Sequence, residues 1–460
     1  MNGMNYFKAA KFLLCLPVLL MTVIVTKSTL FPFIVGKYVF FRAVVGLALI
    51  AFLLGLLFDT AHGAQMFTRL KRIARQPLFI AVSAFTLAFL LACFFGINPA
   101  FSFWSNFERG EGGFQVLMFY AYFALLLAVF EKREDWSMLL GCAIAGGVLM
   151  GLYGYMASLN VSGFLGTRFT EEGYRFQGSI GNSAYVAVYS LFIIFYCLYL
   201  FFEKRGKKLL SFRTFGIGLL IAFFTSVFFL AGTRGAFLGL GTAGIALLSY
   251  IGFAYKKFRW KMLALIVLLL VVGGGLIYFQ DSPFVRSIPG SRVFQISISA
   301  RTFQDRITIW EMAWNGFLVR PVFGWGPENF INIFDTHFNT AYFDPAAGFG
   351  SWFDRAHSVI FDYLAETGIV GLLAYVSMFV MFYVMFFRKS KTEEGQPRFS
   401  DIALKGLFFA IPLAYFVQGL VLFDVSVTYL NLFTLFALAT YKFGLQHENM
   451  KTREQKSMKA

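Results

Sequence analysis

The sequence has little charge, few histidines and few cysteines. Charged residues make up 14% of its 460 residues, against about 25% in soluble proteins. A hydrophobic content of 58%, with 62 phenylalanines, excludes a disordered or fibrous chain and a set of ordinary soluble domains. The apolar runs are continuous rather than short and alternating, which argues against a membrane β-barrel. The composition therefore predicts an all-α, polytopic membrane protein.

The four cysteines lie in four separate apolar runs, without the spacing of disulfides or metal ligands. We expect all of them to be buried thiols. They are Cys15, Cys93, Cys142 and Cys197. The first apolar run follows Lys8 and Lys11, as in a signal peptide, but no cleavage site of small residues comes after it. It is therefore predicted to remain as the first membrane helix.

Apolar stretches bounded by charged residues predict about twelve transmembrane helices. Their approximate limits are 12–30, 38–58, 77–95, 114–130, 137–157, 183–202, 213–231, 235–254, 261–279, 358–387, 402–422 and 428–445. The predicted segments are helices 1–5 in 1–157, helices 6–9 with an outer loop in 158–279, a large periplasmic loop in 280–357, helices 10–12 in 358–446 and a cytoplasmic tail in 447–460.

Lysine and arginine predict the orientation. If the N-terminus is inside, 27 of the 40 basic residues fall on the inner face, and both termini are cytoplasmic. The net charge of +16 then reflects topology rather than nucleic-acid binding. Of the outer basic residues nearly all are arginine, whose donor fork fits phosphate bidentately. The outer face is therefore predicted to recognise a phosphate or an acidic sugar, although arginines that snorkel at the interface would give the same bias.

The large outer loop contains the stretch RTFQDRITIWEMAWNGFLVRP, which has a helical apolar period. The stripe consists of Phe303, Ile307, Trp310, Trp314 and Phe317. It predicts an amphipathic helix at the bilayer surface that ends at Pro321. Arg301 and Arg306 would then lie at the height of a lipid diphosphate. The alternative is a simple membrane anchor with solvated arginines.

His357 stands where the large loop enters the tenth predicted span. A histidine can accept a proton near neutral pH, so His357 is a candidate general base. The alternative is a structural histidine at the interface. Asp362 and Glu366 follow at membrane depth, where acids are candidates for a supporting role. Asn182 precedes the sixth span and is predicted to cap its helix.

A metal site in the outer loop is a further alternative. The ligands available to it are Asp335, His337, Asp344, Asp354 and His357. Their spacing matches no known ligand pattern. We therefore predict neither a metal nor another cofactor.

Five stretches together resemble the O-antigen ligase and polymerase superfamily, over roughly residues 160–385. They are RFQGSIGNSAY, LAGTRGAFLGL, RITIW, GWGPENF and AHSVIFDYLAETGIVGLLAY. The resemblance implies a membrane glycosyltransferase similar to the GT-C type, which uses glycans linked to undecaprenyl diphosphate at the periplasmic face of the bacterial inner membrane. It also implies catalytic roles for Arg234, Arg306 and His357. Arg175 and Arg301 would help to hold the donor diphosphate.

From these features we predict inverting, metal-independent ligation of O-antigen to lipid A–core. The alternative within the superfamily is a repeat-unit polymerase, whose acceptor is a second lipid-linked glycan. A transporter belongs to a different class, and twelve spans with both ends inside are also typical of transporters. The absence of a sequence repeat between the halves and the large outer loop argue against transport. A purely structural membrane scaffold would not explain the outer arginines.

Overall fold

The computed structural model describes residues 4–203, 211–296, 301–340, 352–388 and 398–446 of the chain. These residues form seventeen α-helices joined by turns and short 3-10 segments, and no β-strand occurs among them. The predicted all-α architecture is therefore confirmed.

Nine helices in the described part of the chain are long and apolar enough to cross a membrane. Each coincides with one of the predicted spans, so the protein is a multi-pass membrane protein. They are α2 (Val35–Phe58), α4 (Pro77–Phe95), α7 (Arg133–Ser158), α8 (Ser183–Glu203), α9 (Phe212–Ala231), α10 (Arg234–Ala254), α11 (Arg259–Tyr278), α15 (Val359–Phe386) and α16 (Phe399–Gly419).

Three shorter helices stand at the remaining predicted spans. They are α1 (Met4–Leu20), α6 (Gly113–Val129) and α17 (Ser426–Ala439), which continues as a π-helical segment, Thr440–Leu445. Every residue of α17 is buried. A helix that is apolar on all sides can be buried in this way, because other helices rather than lipid surround it.

A helix that the sequence did not predict lies between α2 and α4. This helix, α3 (Thr60–Ala74), follows Asp59, whose side chain accepts a hydrogen bond from the backbone N–H of His62 at 3.1 Å, as an N-cap does. Met66 and Ile73 are buried, whereas much of the rest of the helix is polar. Mean hydropathy does not detect such a helix, because charges on one face offset apolar residues on the other.

Short helices order the loops on the other membrane side. They are α5 (Pro99–Trp104), α12 (Pro283–Ser287), α13 (Arg301–Val319) and α14 (Phe330–Thr336). Of these, α13 is the predicted amphipathic helix, and it ends before Pro321 as expected.

The buried face of α13 differs from the predicted stripe. Ile309, Met312 and Ala313 are buried in an apolar cluster shared with α14 and α15. Ile307 and Trp314, which belong to the predicted stripe, are 42% and 46% exposed. The helix carries apolar residues on both faces, so periodicity alone could not tell the protein-facing side from the side left open.

The helix α15 is interrupted at Gly368, whose backbone has φ 65° and ψ −169°. The chain that follows α13 supplies hydrogen bonds at this interruption. Gly326 N donates to Glu366 O and Ile369 N donates to Pro321 O, both at 2.8 Å. A break in a membrane helix is tolerated when protein satisfies the freed backbone groups. The outer loop is therefore attached to α15 through its backbone.

Candidate active site

Four arginines from distant parts of the chain line one cavity of about 350 Å³. Arg175 lies in the loop before α8, and Arg234 is the first residue of α10. Arg292 lies in a 3-10 turn after α12, and Arg306 lies on α13. The fold thus brings together three arginines that the sequence proposed for the donor site, and it adds Arg292, which the sequence did not single out.

The hairpin between α9 and α10 fixes two of these arginines. Gly232 ends α9 in the left-handed conformation, with φ 59°, which suits glycine because it has no Cβ. Arg175 Nε donates to Ala231 O at 3.1 Å, and its Nη2 donates to Thr233 Oγ1 at 2.9 Å. The tight reversal therefore holds Arg234 beside Arg175.

The four guanidinium groups repel one another. Burial, together with the charges of Arg292, Arg234 and Arg306, lowers the pKa of Arg175 to about 10. Burial also lowers the pKa of Arg306, with a second contribution from Arg234. Within the described residues none of the four has a carboxylate partner. The cavity therefore favours an anion, above all one with the several oxygens of a phosphate.

His357 lines an adjoining cavity of about 580 Å³. Arg175 and Arg306 line both cavities and therefore connect the histidine with the arginine cluster. The imidazole lies edge-on to two aromatic rings, those of Phe353 and Phe423, each with its centroid 5.0 Å away. These rings restrict the orientation of the histidine.

The backbone and ring of His357 are both held in an unusual state. Its φ is 55°, a left-handed conformation that residues with a side chain rarely adopt outside constrained sites. Nδ1 lies 3.1 Å from Arg355 O, and because a carbonyl only accepts, Nδ1 carries the proton of this bond. Burial lowers the pKa of His357, and the positive charge of Arg306 lowers it further. The hydrogen bond to Arg355 O acts in the opposite direction and raises this pKa. The neutral ring then presents Nε2 with a free lone pair.

Asp362 and Glu366 line neither cavity. Asp362 Oδ1 accepts from Ala356 N at 2.5 Å. Glu366 Oε1 accepts from Glu328 N at 3.0 Å, and its Oε2 accepts from Arg355 Nη1 at 2.6 Å. Both acids therefore hold the loop that carries the histidine. They contact this loop through its backbone and through the side chain of Arg355, and a supporting role for them remains a prediction.

Arg355 is the centre of a buried ion-pair network that the sequence did not reveal. It is hydrogen-bonded to Glu328 and Glu366 and lies 4.0 Å from Glu111. Burial alone would lower the pKa of Arg355, but these carboxylates, led by Glu328, raise it well above its ordinary value. Burial raises the pKa of Glu111 to about 7, although Arg355 opposes the shift. In sequence, Arg355 looked like one more arginine of the outer face.

Two predicted residues remain to be placed. Asn182 caps α8, because its Oδ1 accepts from Ala184 N at 2.9 Å, and it also lines the cavity of His357. Arg301 begins α13, but its side chain lies outside the described part of the structure.

Two of the acids named above as possible metal ligands are described, and both form other hydrogen bonds. Asp354 accepts from Arg109 Nε at 2.6 Å, and Asp335 accepts from Trp352 Nε1 at 2.9 Å. Asp344 lies outside the described residues. Among the residues that are described, no three or more His, Cys, Asp or Glu side chains form a metal-binding group.

Lys37 is a further residue of the site that sequence reasoning did not select. It is 3% exposed and lines the cavity of His357. Its Nζ donates to Ile24 O at 2.6 Å and to Ser179 O at 2.8 Å, and so it joins two loops at the rim. A lysine inside the second apolar run was the available signal, because charges within membrane helices are rare and functional by default.

The comparison with known families matches residues 219–376 to the family described as O-antigen ligase. This part of the chain is therefore similar to the O-antigen ligase family. The matched range includes Arg234, Arg292, Arg306 and His357, whereas Arg175 lies before it. No curated protein matches the chain. This similarity supports a role in glycan transfer, as ligase or polymerase.

Proposed function

We propose that the protein transfers a glycan from undecaprenyl diphosphate to an acceptor hydroxyl, and that the acceptor is lipid A–core. The observation that carries the proposal is the arginine cavity, in which four guanidinium groups lack carboxylate partners in the described structure and adjoin the cavity of His357. A diphosphate would neutralise this charge. The undecaprenyl chain would extend from the cavity along the apolar helices.

In the proposed reaction, the acceptor oxygen attacks the anomeric carbon and the bond from that carbon to the diphosphate oxygen breaks. His357 Nε2 takes the proton of the acceptor hydroxyl. The electron pair of the broken bond stays on the lipid diphosphate. The arginines stabilise the negative charge that develops there, which lowers the barrier electrostatically. Attack opposite the leaving group inverts the anomeric carbon, and the arginines supply the positive charge that a metal ion provides in other glycosyltransferases.

Reconstitution tests this proposal directly. Purified protein is mixed with a glycan linked to undecaprenyl diphosphate and with lipid A–core, and the products are separated by gel electrophoresis. We expect a core that carries glycan, together with released undecaprenyl diphosphate. A product in which two lipid-linked glycans are joined, with the core unchanged, would favour the repeat-unit polymerase. Movement of intact donor across vesicles without any new glycosidic bond would favour a transporter.

The proposal places the active site at the periplasmic face of the bacterial inner membrane, with both termini in the cytoplasm. The bias of basic residues toward the other face supports this orientation. Glu172 lies in the loop before α8 and Lys71 lies on α3, and both are exposed. We expect Glu172→Cys to react with an impermeant thiol reagent in spheroplasts and Lys71→Cys to react only after lysis. The opposite pattern would reverse the orientation.

A further inference from the structure

A second polar cavity lies at the far end of the bundle from His357. Glu111, just before α6, lines the histidine cavity, whereas Val129, the last residue of α6, lines the second cavity. The seventeen residues of α6 span about 26 Å at the usual helical rise. This length is close to the roughly 30 Å of a bilayer core. The two cavities therefore open toward opposite membrane faces.

The second cavity has a volume of about 530 Å³ and a strongly basic lining. Its charged lining residues are Lys8, Lys11, Arg69, Arg72 and Lys132, with Glu131 as the one acid among those described. They come from α1, from α3 and from the turn between α6 and α7. Five cations against one acid make this cavity, like the arginine cavity, a place for an anion.

Of these five cations, two are held by an ion pair or hydrogen bond within the protein, and two others are exposed. Lys11 Nζ pairs with Asp135 at 2.8 Å. Arg69 Nη2 donates to Leu127 O at 2.7 Å, so its stem and guanidinium are anchored. Lys8 and Lys132 are exposed and have no acidic partner among the described residues. Their charge remains available to a ligand.

The surroundings of the cavity favour a lipid rather than a soluble anion. Phe12 is 65% exposed and lies one helical turn after Lys8 on the same face of α1. Phe67 on α3 is 60% exposed. An amphipathic helix with exposed phenylalanine and a basic side is suited to the level of lipid headgroups. The apolar side chains can contact acyl chains while the basic residues contact phosphate.

We propose that this cavity binds the phosphate of an anionic phospholipid, with Lys8 and Lys132 as the residues that select for negative charge. Basic cavities at the cytoplasmic side of membrane helices bind acidic headgroups by the same chemistry. Bound lipid would connect α1, α3 and the turn before α7. The proposal concerns lipid binding only and does not depend on the transferase activity.

The test measures lipid retained by the full-length protein in detergent, with native mass spectrometry as the readout. Dioleoylphosphatidylglycerol, dioleoylphosphatidylcholine and sodium phosphate are titrated separately. The double variant Lys8→Gln with Lys132→Gln is compared with wild type. The control is Lys256→Gln with Lys257→Gln, which removes two exposed lysines that do not line the cavity.

We expect phosphatidylglycerol to bind more tightly than phosphatidylcholine. The cavity variant should weaken phosphatidylglycerol binding about 30-fold, which corresponds to roughly fivefold per lysine, and the control should leave it unchanged. Equal weakening by both variants would overturn the proposal, because it would indicate a diffuse surface charge. Saturation by sodium phosphate with no preference for phosphatidylglycerol would also overturn it, since the site would then belong to a soluble phosphate.

Discussion

Two groups of arginines in this protein have opposite electrostatic environments. Arg355 is buried among carboxylates, and Glu328 and Glu366 are hydrogen-bonded to it. Arg175 and Arg306 are largely buried as well, but with Arg234 and Arg292 they face a cavity and lack a carboxylate among the described residues. The environment raises the pKa of Arg355 and lowers that of Arg175 and Arg306.

The paired arginine stabilises the fold, whereas the arginines of the cavity are suited to bind an anionic ligand. A buried arginine that is paired contributes to the folded state, and its loss leaves carboxylates without compensation. Arginines gathered without partners repel one another and lower the stability of the ligand-free protein. Proteins keep such unfavourable arrangements at functional sites, where attraction to a bound ligand of opposite charge outweighs the repulsion. The five predictions below start from this comparison.

The largest effect is expected at His357, which lies between the two groups. His357→Ala should lower the turnover number by about 10²–10⁴, the usual contribution of a general base. His357→Gln keeps a hydrogen bond to Arg355 O but cannot accept a proton, so it should be nearly as slow. Turnover is measured with saturating donor. A glutamine variant within a few-fold of wild type would mean that His357 only orients the substrate.

The second prediction breaks the paired group. Arg355→Met should lower the free energy of unfolding by about 3–5 kcal/mol, because it leaves several buried carboxylates uncompensated. The matched change Arg306→Met should cost little or should stabilise the protein, since it relieves repulsion. Thermal unfolding in detergent, without donor, compares the two. Equal losses at Arg355 and Arg306 would remove the distinction on which the donor site rests.

The third prediction breaks the unpaired group. Arg306→Ala should lower turnover by about 10²–10³, the cost of losing one group that stabilises transition-state charge. Arg306→Lys keeps the charge but loses the bidentate fork, so it should restore little of the activity. Full activity of the lysine variant would reduce Arg306 to a simple point charge.

A smaller effect is expected at Arg292, which is more exposed than its three neighbours. Arg292→Ala should reduce kcat/KM roughly tenfold, because an exposed charge is more strongly screened by solvent. The same substitution at Arg286, an exposed arginine paired with Asp281 at 2.7 Å, serves as the control and should have no effect. Similar losses at both positions would argue for a general field of the outer face.

The smallest effect concerns pH. Burial and Arg306 lower the pKa of His357 below its ordinary value of 6.5. The base works only when neutral, so turnover should fall as the pH drops through this lowered pKa. Arg306→Ala removes one of the causes and should shift the fall toward higher pH. An unchanged profile in this variant would indicate that the titrating group lies elsewhere.

Much of the fold could be predicted from the sequence because lipid imposes a simple rule. Apolar stretches long enough to span the bilayer become helices, and the predicted spans coincide with helices except for the first, 12–30, which overlaps α1 only as far as Leu20. The helix α13 was predictable from its apolar period. By contrast, α3 was missed because its mean hydropathy is low, and the packing face of α13 depends on partners far away in the chain.

The candidate site was only partly predictable for the same reason. Arg175 and Arg306 stood out by residue type and position, but no local pattern distinguishes Arg292 in the cavity from Arg355 in an ion pair. Whether an arginine is paired depends on carboxylates far away in sequence, such as Glu328 and Glu111. Catalytic roles for these residues remain predictions. The division of the chain into segments that end at residues 157, 279, 357 and 446 also remains a prediction.

The interruption of α15 at Gly368 bears on how this chain can be recombined with other chains that match the O-antigen ligase family. The loop after α13 is hydrogen-bonded to the two broken ends of this helix, on both sides of the glycine. A Cβ at Gly324 would collide with the backbone of Glu366, and one at Gly368 would collide with Val322 O. The loop and the helix therefore form one exchangeable module. A chimera that takes the outer loop from another such chain without the matching half of α15 would lose the hydrogen bonds that attach the loop to the helix.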